Sequence, residues 1–436
     1  MKRTIAASAG LLSIVVAASS AWARELPVVQ PEKVGLSSER LERIGEAFQA
    51  EIDQGRLPGL VVLVARHGEV AYFESFGFRD KDSGAPMHND AIFRIYSMTK
   101  PLVSVAAMIL MEEGRLQLAD PVSRFLPEMQ DLQVSVPRTD AYGAVTYELV
   151  PAANEMTVQD LLRHTAGLAY GEITANADVK EAYAEAGVYN PDGLAFDARA
   201  ISPADEIAGL AKAPLIHEPG TVWEYSLASD VLGRVVEKAS GMRLGDFLEQ
   251  RLFEPLGMAN TGFFVPADEM ERLARPLAVD PATGDPNELI DVSKEPANDS
   301  GGAGAVSTAS DYAAFALMLA NGGELEGTRI LSPTTIELMA SDHLGERIDA
   351  PVTPGELLLG TPGYTFGLGL AVREEPGIAA IPGSEGEFMW AGYAGTYFWI
   401  DPEEELVGVL MTQAPGPSRA YYRRHMKQLV YQAIVD

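Results

Sequence analysis

The sequence predicts an α/β (α+β) protein, in which a mainly antiparallel sheet is flanked by helices and carries an inserted, mostly helical domain. Three observations lead there. Hairpin-like strand pairs lie near both ends of the chain, helices border them, and the middle holds many short helix signals between turns. With 436 residues, 47% of them apolar, the chain can bury a large core. No internal repeat or low-complexity tract interrupts it.

The first residues read as a processing signal. Met1-Lys2-Arg3 is basic, I-A-A-S-A-G-L-L-S-I-V-V-A-A is apolar, and Ala21-Trp22-Ala23 offers a small-x-small cleavage site. Residues 1–23 are therefore expected to be a signal peptide, and the mature chain to be exported to the periplasm or secreted. A transmembrane anchor is the weaker reading, because the stretch is short for a bilayer and no further span follows.

Composition narrows the chemistry. A formal net charge of −29 repels nucleic acid and anionic lipid surfaces, so neither is expected as a partner. The chain has no Cys, which removes disulfides, thiol nucleophiles and thiolate metal sites. Six scattered His form no H-x-H or H-E-x-x-H, so no metal is expected. G-G-A-G at Gly301 to Gly304 is not a phosphate loop, since no G-K-[ST] follows, and close backbone packing is the better reason for it. No stable membrane anchor and no obligate protein partner is evident.

Along the chain, S-S-E-R-L-E-R-I-G-E-A-F-Q reads as an amphipathic helix capped by Ser37 or Ser38. The next stretch, P-G-L-V-V-L-V-A-R-H-G-E-V-A-Y-F, reads as two strands turning at His67-Gly68. Pro101 to Met111 is apolar all round, as a core helix would be, and Gly114 is placed to end it. Residues 126–290 carry helix starts at Thr157, Ser202-Pro203 and Ser226 among turns. They are expected to form the helical domain, with 24–125 and 291–436 together forming the α/β domain. The last third offers helices at D-Y-A-A-F-A-L-M-L-A, at Ser332-Pro333 onward and at the closing R-A-Y-Y-R-R-H-M-K. Strands are expected at Y-T-F-G-L-G-L-A-V, G-T-Y-F-W-I and L-V-G-V-L-M-T.

Residues 96 to 101 read Y-S-M-T-K-P, where a strand gives way to the buried helix. Residues three apart at a helix start share a face, so Ser97 and Lys100 can meet. A serine hydroxyl becomes a nucleophile once a base takes its proton. Burial beside an apolar helix disfavours the ammonium form of lysine and fits it to that task. The spacing alone is weakly specific, although none of the other eight lysines has Ser three residues ahead.

R-I-Y-S-M-T-K-P resembles the nucleophile motif of the serine β-lactamase and penicillin-binding superfamily, closest to class C β-lactamases and family VIII carboxylesterases. L-L-R-H-T-A-G-L, E-P-G-T-V-W-E-Y-S-L-A-S-D-V-L-G, G-G-A-G-A-V-S-T-A-S-D-Y and A-G-T-Y-F-W-I-D-P extend the resemblance over nearly all of the chain after residue 30. The resemblance implies a β-lactamase/transpeptidase-like fold, with Ser97 as acylated nucleophile and Lys100 and Tyr225 as proton-transfer groups. It also implies an oxyanion hole from the backbone N–H of Ser97 and Tyr393. The lactamases' K-T-G is absent, and Trp390-Ala391-Gly392 stands in its place, similar to the W-x-G of family VIII esterases. Leu227 replaces the usual Asn after Tyr225-Ser226. Trp390, Ala391, Gly392 and Leu227 are thus expected to bind substrate, and the exchange of a cation for apolar groups favours an uncharged ester.

The expected activity is that of a serine carboxylesterase acting on short-chain esters as small-molecule substrates, with no cofactor. Action on β-lactams or D-alanyl-D-alanine peptides, acyl transfer to another acceptor, and a non-catalytic binding relative are the rivals. No G-x-S-x-G elbow supports an α/β-hydrolase. His164 is assigned a packing or capping role at a helix end, and His217-Glu218 runs into a Pro-Gly turn.

Overall fold

The computed structural model describes residues 26–191 and 199–436. The expected signal peptide lies outside them. Eight strands form one antiparallel sheet, in the order Tyr364–Phe366, Ala371–Arg373, Phe388–Ala391, Tyr397–Asp401, Leu406–Thr412, Gly59–Arg66, Glu69–Asp80 and Ala85–Pro86. The central join pairs Leu60 with Thr412 and Arg66 with Leu406, so the two ends of the chain meet inside the sheet. His67 and Gly68 turn the first hairpin, both with positive φ (53° and 77°), the geometry that matches strand twist in a two-residue loop.

One layer over the sheet is made by Ser38–Asp53 and Arg419–Tyr431. Ser37 caps the first of these, accepting from the Arg40 N–H at 3.3 Å, and Phe48 meets Tyr422 at 6.4 Å between ring centroids. On the other side run Thr99–Glu112 and Ala309–Ala320. The first of these is buried at every position from Thr99 to Leu110, as its all-round apolar sequence requires. It packs against Ala228–Ser240, which links the sheet domain to the middle of the chain. Among the described residues no helix is long and apolar enough to cross a membrane.

Three expectations change. The middle region is less helical than its turns suggested: Gln133–Thr139 and Val145–Pro151 form a hairpin with Tyr142 exposed at its tip. Valines alternating with polar residues give that segment a period of two, and Asp140 closes the turn by accepting from the N–H groups of Tyr142 and Ala144. The strand expected over Y-T-F-G-L-G-L-A-V is two strands, paired Tyr364 with Arg373. Gly369 turns with φ 85°, and a Cβ on Gly367 would lie 2.0 Å from the Met339 carbonyl oxygen. Ser226 does not cap the next helix. Its hydroxyl lies 3.3 Å from His164 Nδ1, and Leu227 occupies the N-cap position without a side-chain bond.

Candidate active site

The strand-to-helix junction positions Ser97, the expected nucleophile. Ser97 sits in a single 3-10 turn, Tyr96–Met98, immediately ahead of Thr99–Glu112. Tyr96 has φ 45°, a left-handed conformation that is strained for a bulky residue and sharpens the corner. The corner is fixed from several sides. The Thr99 hydroxyl donates to the Tyr96 carbonyl at 2.6 Å, and the Tyr312 hydroxyl donates to the Met98 carbonyl at 2.9 Å.

Ser97 Oγ accepts from the Tyr225 hydroxyl at 2.5 Å and from Lys100 Nζ at 3.3 Å. Lys100 also donates to the Tyr170 hydroxyl at 2.9 Å and to the Gly302 carbonyl at 2.7 Å. Its side chain is 1% exposed, so the amine is isolated from water and held entirely by neutral oxygens. The Gly302 carbonyl reaches Nζ because this loop lies flat against Ala228–Ser240. A Cβ on Gly301 would meet the Ser229 carbonyl oxygen at 2.3 Å, and one on Gly302 an Asp230 oxygen at 2.2 Å. Close backbone packing is thus the reason for these glycines.

Tyr170 was not singled out from the sequence. It lies in the loop L-A-Y-G, which has no period and no chemical motif around it. Burial, and after it the neighbouring Tyr225, push its hydroxyl well above the ordinary phenol range, so it stays a neutral acceptor for Lys100. The Tyr225 ring is gripped by other rings: His164 and Tyr170 at 5.2 Å each and Trp390 at 5.6 Å. His164 is buried in that cage beside Trp223 and Phe366, and burial followed by the Lys100 charge holds its pKa well below the usual imidazole value. It stays neutral and packs, in agreement with its assignment from sequence.

A cavity of about 260 Å³ opens over Ser97. Tyr225, Ile173, Leu357, Leu358, Ala391, Gly392 and Tyr393 contribute to its wall, so the two residues expected to supply oxyanion N–H groups, Ser97 and Tyr393, share one cavity. Trp390 and Leu227, expected to touch substrate, do not line it. Trp390 lies on the buried strand Phe388–Ala391, fully enclosed, with its ring against Tyr225 and Phe366. It supports the tyrosine from behind. Leu227 is turned into the core at the start of Ala228–Ser240.

The cavity is also not free of charge. Arg419 and Arg423, one turn apart on the closing helix, both line it, together with Glu172. Burial lowers the pKa of Arg419, and burial followed by Arg419 brings Arg423 down to about 9, which leaves Arg423 a cation at neutral pH. Burial raises the Glu172 carboxyl. Replacing the K-T-G lysine by tryptophan therefore did not empty the wall of positive charge. Among the described residues no group of His and acidic side chains could hold a metal ion.

A serine, an amine and a phenol joined by hydrogen bonds at a cavity floor define a class of protein whose chemistry is acyl transfer through serine. Comparison gives the lineage: residues 44–431 match the Beta-lactamase family, and the chain belongs to it. It is 35% identical to Protein Rv1367c of Mycobacterium tuberculosis (strain ATCC 25618 / H37Rv), over 83% of this chain and 87% of that protein. Esterase EstB of Burkholderia gladioli is 32% identical, over 85% of this chain and 89% of that protein. Among solved structures, "EstCE1, a hydrolase with promiscuous acyltransferase activity" superposes with a TM-score of 0.73 at 31% identity, covering 90% of this chain and 99% of that one.

Proposed function

We propose that this chain is a serine carboxylesterase that cleaves short-chain esters through an acyl-enzyme on Ser97. The observation that carries the reading is the double hydrogen bond to Ser97 Oγ, from Tyr225 at 2.5 Å and Lys100 at 3.3 Å, at the floor of the cavity. Kinship with Esterase EstB and EstCE1 supports the same chemistry. With the Lys100–Tyr225 pair one proton short (amine with phenol, or ammonium with phenolate), Ser97 Oγ attacks the ester carbonyl carbon and its proton passes to that pair. The carbonyl oxygen becomes an oxyanion facing the N–H groups of Ser97 and Tyr393. The tetrahedral adduct collapses, the C–O bond to the alcohol breaks, and the alcohol leaves with the proton held by the pair. Water then attacks the acyl carbon by the reverse proton path and frees Ser97.

The limited cavity volume and its Ile173, Leu357 and Leu358 walls favour short acyl chains without strong rejection of related ones. The decisive experiment combines turnover of 4-nitrophenyl butyrate with intact mass after fluorophosphonate treatment. Wild-type protein should hydrolyse the ester and gain one adduct, and Ser97→Ala should do neither. Absence of both in the wild type, or nitrocefin turnover above ester turnover, would defeat the assignment.

Acyl transfer to an alcohol is the second reading, favoured by the activity named for EstCE1. Product analysis with added alcohol acceptors separates it from hydrolysis. Export after cleavage at Ala23 also belongs to this proposal, motivated by the basic–apolar–A-W-A start. A mature N-terminus other than Arg24, or retention of the leader, would refute it.

A further inference from the structure

The least explained group at the cavity is Arg423. Its side chain is among the largest that are fully buried, and its guanidinium donates to two backbone carbonyls, Gly392 at 2.6 Å and Leu358 at 2.9 Å. Burial first, then Arg419, act against its charge; Tyr397 and Tyr225 favour it, and no carboxylate is among these groups. Nε has no hydrogen-bond partner among the described residues. A buried cation without an ion-pair partner is costly to keep. Two carbonyls could be satisfied by a neutral amide at lower cost. In a chain with 62 acidic and 33 basic residues, a buried arginine that forms no ion pair among the described residues points to a use for its charge.

The Gly392 carbonyl belongs to the peptide whose other side is the N–H of Tyr393. That peptide is planar and trans, so fixing the carbonyl fixes the direction of the N–H on the opposite side. A carbonyl that accepts from a cation also makes its own N–H a stronger donor, because the amide is polarised along its length. The turn carrying it is pressed against the nucleophile's segment. A Cβ on Gly392 would lie 2.3 Å from the Ile95 carbonyl oxygen, and Thr396 Oγ1 donates to that same oxygen at 3.3 Å. Through Leu358, Arg423 ties the helix Pro354–Leu359, whose Leu357 and Leu358 line the cavity, to the same turn.

We propose that Arg423 is the positioning residue of the oxyanion hole: it aims and polarises the Gly392–Tyr393 peptide and adds positive potential where charge develops on the substrate. The idea rests on the esterase reading above. It predicts a transition-state effect with little effect on ground-state binding. Arg423→Met should lower kcat for 4-nitrophenyl butyrate by roughly ten- to a hundredfold and leave KM within about threefold. Phenylboronic acid, which forms a tetrahedral adduct with an active serine, should bind more weakly by a similar factor. Arg423→Lys keeps the charge but cannot bridge both carbonyls, so it should fall between the two, and it guards against a failure of the first variant to fold. Added ethylguanidinium should restore part of the lost kcat in Arg423→Ala.

Equal losses in kcat/KM through KM alone, unchanged boronate affinity, or identical behaviour of Arg423→Lys and Arg423→Met would overturn the proposal while wild-type turnover upheld the esterase reading. A wild type that neither hydrolyses the ester nor binds the boronate would defeat both.

Discussion

Two buried polar clusters stand on the same sheet and solve the problem of enclosed charge in opposite ways. At the start of the strand Phe388–Ala391, whose other end leads into Gly392, Glu387 is fully enclosed with Lys427 and Arg373 as ion-pair partners, and the hydroxyls of Tyr364 and Tyr431 donate to it at 2.9 and 3.2 Å. Over the cavity, Lys100 is equally enclosed, yet among the described residues it bonds only to Ser97 Oγ, the Tyr170 hydroxyl and the Gly302 carbonyl. Arg423 likewise bonds only to carbonyls. The first cluster neutralises its charge inside the fold. The second sets its amine and its guanidinium among neutral oxygens, beside Ser97 and the cavity. Paired charge joins the closing helix to the sheet, and the proposal above gives the charge without an ion pair a part in the chemistry.

The largest expected effect separates the two lysines. Lys427→Met leaves Glu387 with only Arg373 as a cation partner and should lower unfolding stability by about 3–5 kcal/mol. Turnover per folded molecule should hold. Lys100→Met removes a cation with no buried counter-ion, so its cost in stability should stay within about 1–3 kcal/mol, the penalty of unsatisfied carbonyl and hydroxyl groups. Its ester turnover should fall by roughly a thousandfold. Urea unfolding and 4-nitrophenyl butyrate kinetics on both variants decide the matter. If Lys100→Met proves the more destabilising of the two, the contrast is wrong.

A smaller effect is expected at Tyr170. Tyr170→Phe keeps the ring beside Tyr225 and deletes one acceptor of Lys100, at 2.9 Å in the native site. Turnover should drop about tenfold, with KM little changed, as the amine loses its fixed orientation. Unchanged kcat in this variant would show that the Gly302 carbonyl alone suffices to hold Nζ.

What could be read in advance follows the same division. Ser97 and Lys100 lie three residues apart at a helix start, and local geometry brings them together. The sheet was legible because apolar runs and turn residues at both chain ends encode hairpins. Tyr225 stood out only through its resemblance to a family motif. Tyr170 and Arg423 meet the site through the tertiary fold, 70 residues from Lys100 in one case and 31 from Gly392 in the other. Arg423 did leave a trace: with Tyr422, Met426, Lys427 and Val430 it occupies the buried face of an otherwise amphipathic helix. Charged residues at core positions of a helix are costly, so they mark places worth inspecting. Trp390 failed for a different reason. Resemblance located it beside the site, but nothing in the sequence says which side of Tyr225 its ring would take.

The smallest effect concerns His164, which borders the unpaired charge of Lys100. The enclosed imidazole has its pKa held well below 6.5, by burial first and Lys100 second, whereas the unfolded chain protonates it near 6.5. Below that pH the unfolded state binds a proton that the folded state refuses, so stability is lost as pH falls. Glu206 works in the other direction: burial raises its carboxyl to about 7, and the stability it contributes at low pH is lost as pH rises toward that value. A raw stability profile mixes the two, and a variant difference isolates one. His164→Asn suits the site, because φ is 56° there and Asn accepts left-handed backbone while retaining a partner for Ser226. The variant should be less stable than wild type at pH 7.5, having lost three ring contacts. That deficit should shrink as pH falls below 6.5. Urea unfolding of both proteins at pH 7.5 and 5.0 measures it. A deficit independent of pH would mean that His164 takes up its proton inside the fold as readily as in the unfolded chain.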